Sequence, residues 1–150
     1  MKSITKDLLS PCKSTEKTNE VPDLLPILYV GDDETNFDIA ERILSTQFQV
    51  TWAKSPDEAR AHLKSNLPAL ILLDIEFSGH TESGLDFLSA LRSRHINTTL
   101  PVQGLPVVIL SASSASYDQR ELRSYGADGA IFKPIDPEEL ISICHTLAHR

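Results

Sequence analysis

Leu70-Ile71-Leu72-Leu73-Asp74 is the stretch of sequence that decides the fold. Four branched apolar residues in a row are typical of a strand that is buried on both faces, as in the parallel sheets of α/β proteins. A buried strand has no interior place for a charge, so we expect Asp74 to lie where the strand leaves the core. In open α/β sheets this edge, beyond the carboxyl ends of the strands, is where ligands bind.

Three other apolar runs also end in polar or charged residues. They are Ile27-Leu28-Tyr29-Val30 before Gly31-Asp32-Asp33, Val107-Val108-Ile109-Leu110 before Ser111, and Ala130-Ile131-Phe132 before Lys133-Pro134. If these runs are neighbouring parallel strands, three carboxylates, a hydroxyl and an ammonium group meet at one rim of the sheet.

Helical patterns separate the apolar runs. We predict helices that begin near Glu34, Ser55-Pro56-Asp57-Glu58, Gly84, Ser113-Ser114 and Asp136-Pro137-Glu138-Glu139. Gln49-Val50-Thr51-Trp52 alternates polar and apolar residues, which favours a half-buried edge strand. The glutamate at 58 should close a capping box, Gly126 should end the fourth helix, and longer loops should cover Ile75–Ser83 and Asn97–Leu105. Five strands alternating with five helices predict an α/β fold, a doubly wound parallel sheet with right-handed crossovers.

Length and composition limit the classes of function. The chain has 150 residues and a formal net charge of -7, so it lacks the basic footprint of a nucleic-acid-binding protein. No apolar stretch is long enough to span a bilayer, and we expect neither nucleic acid nor membrane as a partner. Cys12 and Cys144 lie far apart and should be free thiols in a reducing cytoplasm.

Residues 1–25 differ in composition from the rest of the chain. They are rich in Lys, Ser, Thr, Glu and Pro, and such a segment cannot bury enough apolar surface to offset its ordering entropy. We expect a flexible N-terminal extension, with a docking arm as the alternative, followed by one folded domain over residues 26–150. The apolar element near the N-terminus is too short for a signal-peptide core.

The acidic residues at the predicted rim indicate a cation site. Asp32, Asp33 and Asp74 would repel one another without a cation, and ligands that are all oxygen indicate Mg²⁺ or Ca²⁺. Three carboxylates with several waters suit Mg²⁺ better. The alternative is that Asp32 and Asp33 cap the helix that follows, although capping explains one aspartate and not three.

Lys133 and Ser111 complete the predicted rim. Lys133 could hold a phosphoryl oxygen, and the alternative is an ordinary surface lysine. Ser111 could offer its hydroxyl, and the alternative is a turn residue. A metal-bound carboxylate that faces a lysine can attack phosphorus and form an aspartyl phosphate.

These motifs together resemble the receiver domain of two-component response regulators. The resemblance covers residues 26 to about 148 and is carried by Asp32-Asp33, Leu72-Leu73-Asp74, Leu110-Ser111-Ala112 and Phe132-Lys133-Pro134. It implies a flavodoxin-like fold with strand order 2-1-3-4-5 and a cis peptide bond before Pro134.

The resemblance also implies a role for each site residue. Asp74 would be the phosphoacceptor, Lys133 its ion-pair partner, and Ser111 the hydroxyl that follows the phosphoryl group. The Mg²⁺ ligands would be Asp32, Asp33, Asp74 and the backbone carbonyl of Glu76.

The implied function is that of a phosphoacceptor response regulator. Its phosphodonor would be a histidine kinase or a histidine phosphotransfer protein, and its output a protein–protein interaction with an unknown downstream protein. It would resemble the single-domain, chemotaxis-regulator-like members. It would not be an enzyme, apart from its own Mg²⁺-dependent phosphotransfer and autodephosphorylation.

The sequence departs from the family pattern at three places. The loop after Asp74 lacks the usual proline and is about two residues longer, and its His80 is more simply a solvated loop residue than a metal ligand. Ala130 stands where receivers usually carry Tyr, Phe or His, and Asn97–Leu105 lengthens the approach to the fourth strand.

The sequence leaves two other functional interpretations open. One is a binding module with a receiver fold that acts without phosphorylation, which Ala130 keeps possible. The other is a haloacid-dehalogenase-like phosphohydrolase, which also uses an aspartate nucleophile, a hydroxyl, a lysine and Mg²⁺. In that family the nucleophile precedes the acidic pair, and Asp74-Ile75-Glu76 lacks the usual second aspartate.

Overall fold

The computed structural model describes residues 24–75, 82–93, 96, 98–112 and 118–149. Within these ranges, five strands alternate with five α-helices. The strands are β1 (Leu25–Val30), β2 (Phe48–Ala53), β3 (Leu70–Asp74), β4 (Val107–Ser111) and β5 (Gly129–Phe132). The helices are α1 (Glu34–Leu44), α2 (Pro56–Leu63), α3 (Gly84–Arg92), α4 (Gln119–Ser124) and α5 (Pro137–Ala148), and a short 3₁₀ helix at Val102–Gly104 precedes β4.

The strands form one parallel sheet in the order β2-β1-β3-β4-β5. This confirms the predicted α/β class, the edge position of β2 and the strand order that the resemblance implies. In the register, Asp74 is opposite Leu110, and Ser111 is opposite Phe132. The carboxyl ends of β3, β4 and β5 therefore lie at one edge of the sheet.

Apolar side chains cover both faces of the sheet. Ile71 and Leu73 belong to the core that α2, α3 and α4 cover, whereas Leu70 and Leu72 belong to the core under α1 and α5. All five residues of β3 are buried. A strand with a core on each side needs apolar residues at every position, and this accounts for the unbroken run of the sequence.

The helix starts follow local capping chemistry. Ser55 caps α2 by accepting the N–H of Glu58, as predicted, but the Glu58 carboxylate accepts the N–H of Lys54 and not that of Ser55. Asp136 caps α5, again as predicted.

The start of α4 corrects the sequence prediction. The backbone of Asp118 is extended and its side chain accepts the N–H of Glu121, so α4 begins at Gln119. The predicted cap, Ser113-Ser114, lies outside the described residues. At the other end of the helix, Gly126 follows the C-cap with a φ of 110°, a left-handed backbone that favours glycine.

Several predictions concern parts of the chain that the structure describes only partly. The extension predicted at residues 1–25 is described only from residue 24, and 76–81 of the loop after β3 are not described. Cys144 is a buried free thiol, while Cys12 lies outside the described ranges. Among the helices of those ranges, none combines the length and apolarity needed to cross a bilayer.

Candidate functional site

An ion pair joins the ends of β3 and β5. Lys133 Nζ donates a hydrogen bond of 2.8 Å to Asp74 Oδ2. Asp74 is the last residue of β3 and is 1% exposed, and Lys133 directly follows β5. The parallel sheet thus brings together two residues that are 59 positions apart in sequence, as the sequence predicted. A carboxylate so buried needs a charged or hydrogen-bonding partner to offset its lost hydration.

Ser111 lies beside this ion pair. It is the last residue of β4 and is fully buried, and its carbonyl oxygen accepts the backbone N–H of Lys133 at 2.8 Å. Because β4 lies between β3 and β5, Ser111 occupies the rim between Asp74 and Lys133. The structure therefore places all three predicted residues at one edge.

Asp33 and Asp32 follow β1 at the same edge. Asp33 is exposed and is the N-cap of α1, with Oδ1 accepting the N–H groups of Thr35 and Asn36 at 2.9 and 3.3 Å. The capping alternative is thus correct for Asp33. Both bonds end on Oδ1 of Asp33. The other carboxylate oxygen of Asp33, Oδ2, accepts no hydrogen bond from the part of the chain that is described.

Tyr29 lies beneath the acidic rim. Burial raises the pKa of its phenol, and the negative charges of Asp74, Asp33 and Asp32 raise that pKa further. All three carboxylates therefore lie within electrostatic reach of one buried hydroxyl. That hydroxyl has no hydrogen-bond partner among the described residues, and a buried polar group without a partner is costly.

Gly31 allows the acidic turn to pack closely. A Cβ at this position would lie 2.9 Å from Asp74 Cβ and 3.0 Å from the edge of the Tyr29 ring. Any side chain would force one of these two groups to move. The absence of a side chain at Gly31 therefore lets the backbone directly before Asp32 pack against Asp74.

The donor atoms of this rim fit a hard cation, but they are not arranged as a preformed cage. Carboxylate oxygens are the ligands that Mg²⁺ prefers. Within the described ranges, however, no three His, Cys, Asp or Glu side chains lie close enough together to form a metal-binding group. The three aspartates thus lie at the same rim of the sheet, as predicted, but their side chains do not converge on one point. Asp33 turns toward α1, and Asp74 turns toward Lys133.

Comparison with known proteins identifies the family. The family model described as the response regulator receiver domain matches residues 27–145. The chain belongs to this family. Response regulator Rre1 of Synechocystis is 35% identical over 106 residues, which cover 71% of this receiver chain and 43% of the regulator. The chain spans about half the length of the curated relatives that it matches.

Solved structures show the same fold. The receiver domain of NtrX from Brucella abortus superposes with a TM-score of 0.72 at 27% identity, covering 82% of this receiver and 98% of that domain. The receiver domain of the sensor histidine kinase PA1611 from Pseudomonas aeruginosa has the same TM-score at 19% identity, covering 85% and 100% of the two chains. As the resemblance implies, the peptide bond between Lys133 and Pro134 in this receiver is cis.

Ala130 stands where many receivers carry an aromatic ring. It is 3% exposed in β5, and its carbonyl oxygen accepts a long hydrogen bond of 3.4 Å from the Gln119 side chain on α4. A polar side chain therefore links α4 to β5 at this position. Glu76 and His80 of the preceding loop lie outside the described residues.

Three contacts beside the site were not predicted from the sequence. Arg60 on α2 pairs with Glu82, Gly84 packs against the main chain after Asp74, and Trp52 donates to the carbonyl of Gly31. Each joins segments that are distant in sequence, so no local pattern identifies the partners. The only available signal was the single tryptophan of the chain, placed near the end of the predicted edge strand.

Proposed function

We propose that this receiver domain accepts a phosphoryl group on Asp74 within a two-component phosphorelay. The observation that carries the proposal is the 2.8 Å contact between Lys133 Nζ and Asp74 Oδ2 at the carboxyl edge of the sheet. A carboxylate can act as the nucleophile toward phosphorus, and an ammonium group in contact with it can then hold the incoming phosphoryl oxygens.

The proposed transfer takes the phosphoryl group from a phosphohistidine of a histidine kinase or a histidine phosphotransfer protein. An Asp74 carboxylate oxygen forms the new bond to phosphorus as the histidine nitrogen–phosphorus bond breaks. The leaving imidazole keeps the electron pair of that bond and takes up a proton. Lys133 offsets the negative charge on the phosphoryl oxygens, and the Ser111 hydroxyl donates a hydrogen bond to one of them.

Mg²⁺ is the cofactor that we propose for this transfer. When bound, it neutralises charge on the phosphoryl oxygens. Asp32 and Asp33 would hold it together with Asp74 and the backbone carbonyl of Glu76. Support comes from the all-oxygen donors of the rim, from the Oδ2 atom that capping leaves available on Asp33, and from the Pseudomonas domain, which holds a magnesium ion in its active-site cleft.

We further propose that the receiver domain occupies residues 26–150, behind a flexible extension at 1–25, and that its output is a contact with a downstream protein. The family match over residues 27–145 agrees with this division. The match to the receiver family supports this function over the haloacid-dehalogenase-like alternative. The alternative that an experiment must exclude is a binding module that acts without phosphorylation.

The decisive experiment is phosphorylation by acetyl phosphate with intact-mass measurement. The wild-type chain should gain one phosphoryl group with Mg²⁺ and none with EDTA. Asp74→Asn should gain none, whereas Asp57→Asn, which removes an exposed carboxylate on α2, should behave as wild type. A gain that persists in Asp74→Asn would place the acceptor elsewhere, and no gain in the wild type would favour the phosphorylation-independent module.

A further inference from the structure

Trp52 holds the backbone directly before the acidic pair. Its Nε1–H donates a hydrogen bond of 2.7 Å to the carbonyl oxygen of Gly31. The N–H of Gly31 in turn donates to the carbonyl of Ala53 at 3.0 Å. Both backbone polar groups of Gly31 are therefore bound by the end of β2, and the peptide that leads into Asp32 has a fixed orientation.

The same indole ring contacts the chain on the other side of the acidic pair. It stacks on Phe37 with a centroid distance of 4.7 Å and an interplanar angle of 7°. Phe37 lies in the first turn of α1, and its N–H donates to the Asp33 carbonyl at 3.1 Å. The ammonium of Lys54 lies 4.8 Å from the centroid of the indole ring. The cation–π attraction between them helps to hold the ring in place. The stack holds the ring by packing alone, whereas the indole N–H makes the one directional contact of this side chain within the described ranges, with the Gly31 carbonyl.

We infer that Trp52 is a positioning residue for the cation site of Asp32 and Asp33, and that its indole responds directly to cation binding there. The inference rests on the proposed function, because it concerns the Mg²⁺ site proposed above. Residues that orient metal ligands without touching the metal commonly change affinity by 10- to 100-fold when they are replaced. Trp52 acts through the Gly31 carbonyl, which it fixes, and not by binding the ion.

The first test compares Mg²⁺ affinity between two variants by calorimetric titration with MgCl₂. Trp52→Phe keeps an aromatic ring but removes the N–H donor, and we expect Mg²⁺ to bind about ten-fold more weakly. Phe37→Leu is the matched control, since it removes the stacked ring and leaves the indole N–H in place. We expect its Mg²⁺ affinity to stay within about three-fold of wild type, because the stacked ring has no hydrogen bond with which to orient the peptide before Asp32.

Melting temperatures without Mg²⁺ separate positioning from a general loss of stability. Both variants lose aromatic packing and should melt somewhat lower than the wild type. If affinity followed stability alone, the two variants would weaken Mg²⁺ binding in proportion to their lowered melting temperatures. A loss of affinity confined to Trp52→Phe supports the inference, and equal losses at equal destabilisation overturn it.

The second test needs no Trp52 variant, so it stands even if Trp52→Phe does not fold. Trp52 is the single tryptophan of the chain, so a ¹⁵N-labelled sample gives one indole N–H signal. This signal should move on addition of MgCl₂ and not on addition of NaCl at equal ionic strength. It should also remain still when MgCl₂ is added to Asp32→Asn.

The outcomes distinguish the inference from the proposed function. Mg²⁺ binding by the wild type with an unmoved indole signal, or with unchanged affinity in Trp52→Phe, overturns the role of Trp52 and leaves the proposed site intact. A wild-type chain that binds no Mg²⁺ at millimolar concentrations overturns the proposed metal site, and the inference with it.

Discussion

The first residue of α3, Gly84, lies directly against the main chain of Asp74. A Cβ at residue 84 would be 2.6 Å from the Asp74 carbonyl oxygen and 2.6 Å from Ile75 Cα. Both atoms belong to the backbone, which cannot move aside as the end of a flexible side chain can. The start of α3 and the end of β3 are therefore packed so closely that only glycine fits between them.

Gly84→Ala should consequently destabilise the domain, although alanine is the better helix former. We expect the free energy of unfolding to fall by about 1–2 kcal/mol, because overpacking costs more than the helix propensity returns. Urea unfolding monitored by circular dichroism measures this. Gly104→Ala is the matched control, since a Cβ there would have no neighbour within 4 Å, and it should be neutral or slightly stabilising. Equal effects of the two substitutions would refute the packing argument.

The ion pair of Arg60 and Glu82 should stabilise the segment that leads into α3. Arg60 Nη1 donates to Glu82 Oε1 at 2.7 Å, and Nη2 makes a second bond to the same carboxylate. The bond to Glu82 is also the main reason that the pKa of Arg60 is raised. Both side chains are about three-quarters buried, so the paired geometry should be worth more than a single exposed contact.

Glu82→Gln should therefore lower the free energy of unfolding by about 1 kcal/mol. Asp57→Asn provides the comparison, because Asp57 makes one bond of 3.4 Å to the same arginine and is 95% exposed. It should change stability by no more than about 0.5 kcal/mol. Thermal and urea unfolding of both variants measures these two changes in stability. A larger loss in Asp57→Asn than in Glu82→Gln would contradict the stabilising role of the pair of Arg60 and Glu82.

Phosphorylation should change the conformation of the loops after β3 and β4, and not that of an aromatic side chain in β5. Ala130 carries only a methyl group, so it has no side-chain rotamer that a partner could detect. We expect amide shifts on phosphorylation to be larger at residues 111–116 and 76–83 than at Ala130. Two-dimensional amide spectra recorded with and without acetyl phosphate test this, with Asp74→Asn as the unphosphorylated control. Largest changes at Ala130 and Ile131, with both loops unmoved, would show the idea to be wrong.

Cys144 should be unreactive in the folded protein. It is fully buried in α5, and burial raises the pKa of its thiol from 9.0 to about 12. Since the thiolate is the reactive form, a Cys12→Ser variant should take up no iodoacetamide at pH 8 until guanidinium unfolds it. Rapid labelling of the native variant would contradict the burial of the thiol.

The same shift gives a pH dependence of stability. The folded state retains the thiol proton to a higher pH than the unfolded state does, so between about pH 9 and pH 12 the folded state binds more protons. The contribution of the Cys144 thiol to the free energy of unfolding is fully present below about pH 9, and it is lost as the pH rises from 9 to 12. Unfolding free energies measured at pH 8 and pH 10.5 should show the decline.

Much of the architecture could be read from local sequence. The run before Asp74 is apolar at every position because β3 has a core on each face, and Ser55 and Asp136 begin their helices by contacts within four residues. Asp74, Ser111 and Lys133 could be assigned to one rim because parallel strands present their carboxyl ends at the same edge. The start of α4 escaped prediction, since both Ser113 and Asp118 are suitable caps and only the folded chain chooses between them.

The sequence by itself therefore determined the succession of strands and helices along the chain and the residues that end each strand. Both depend on the periodicity of neighbouring residues. Tertiary structure alone decided the other long-range side-chain contacts. Trp52 binds Gly31 across 21 positions, and Arg60 binds Glu82 across 22. These contacts depend on how elements cross in space and on side-chain rotamers, which the close packing of the whole domain selects.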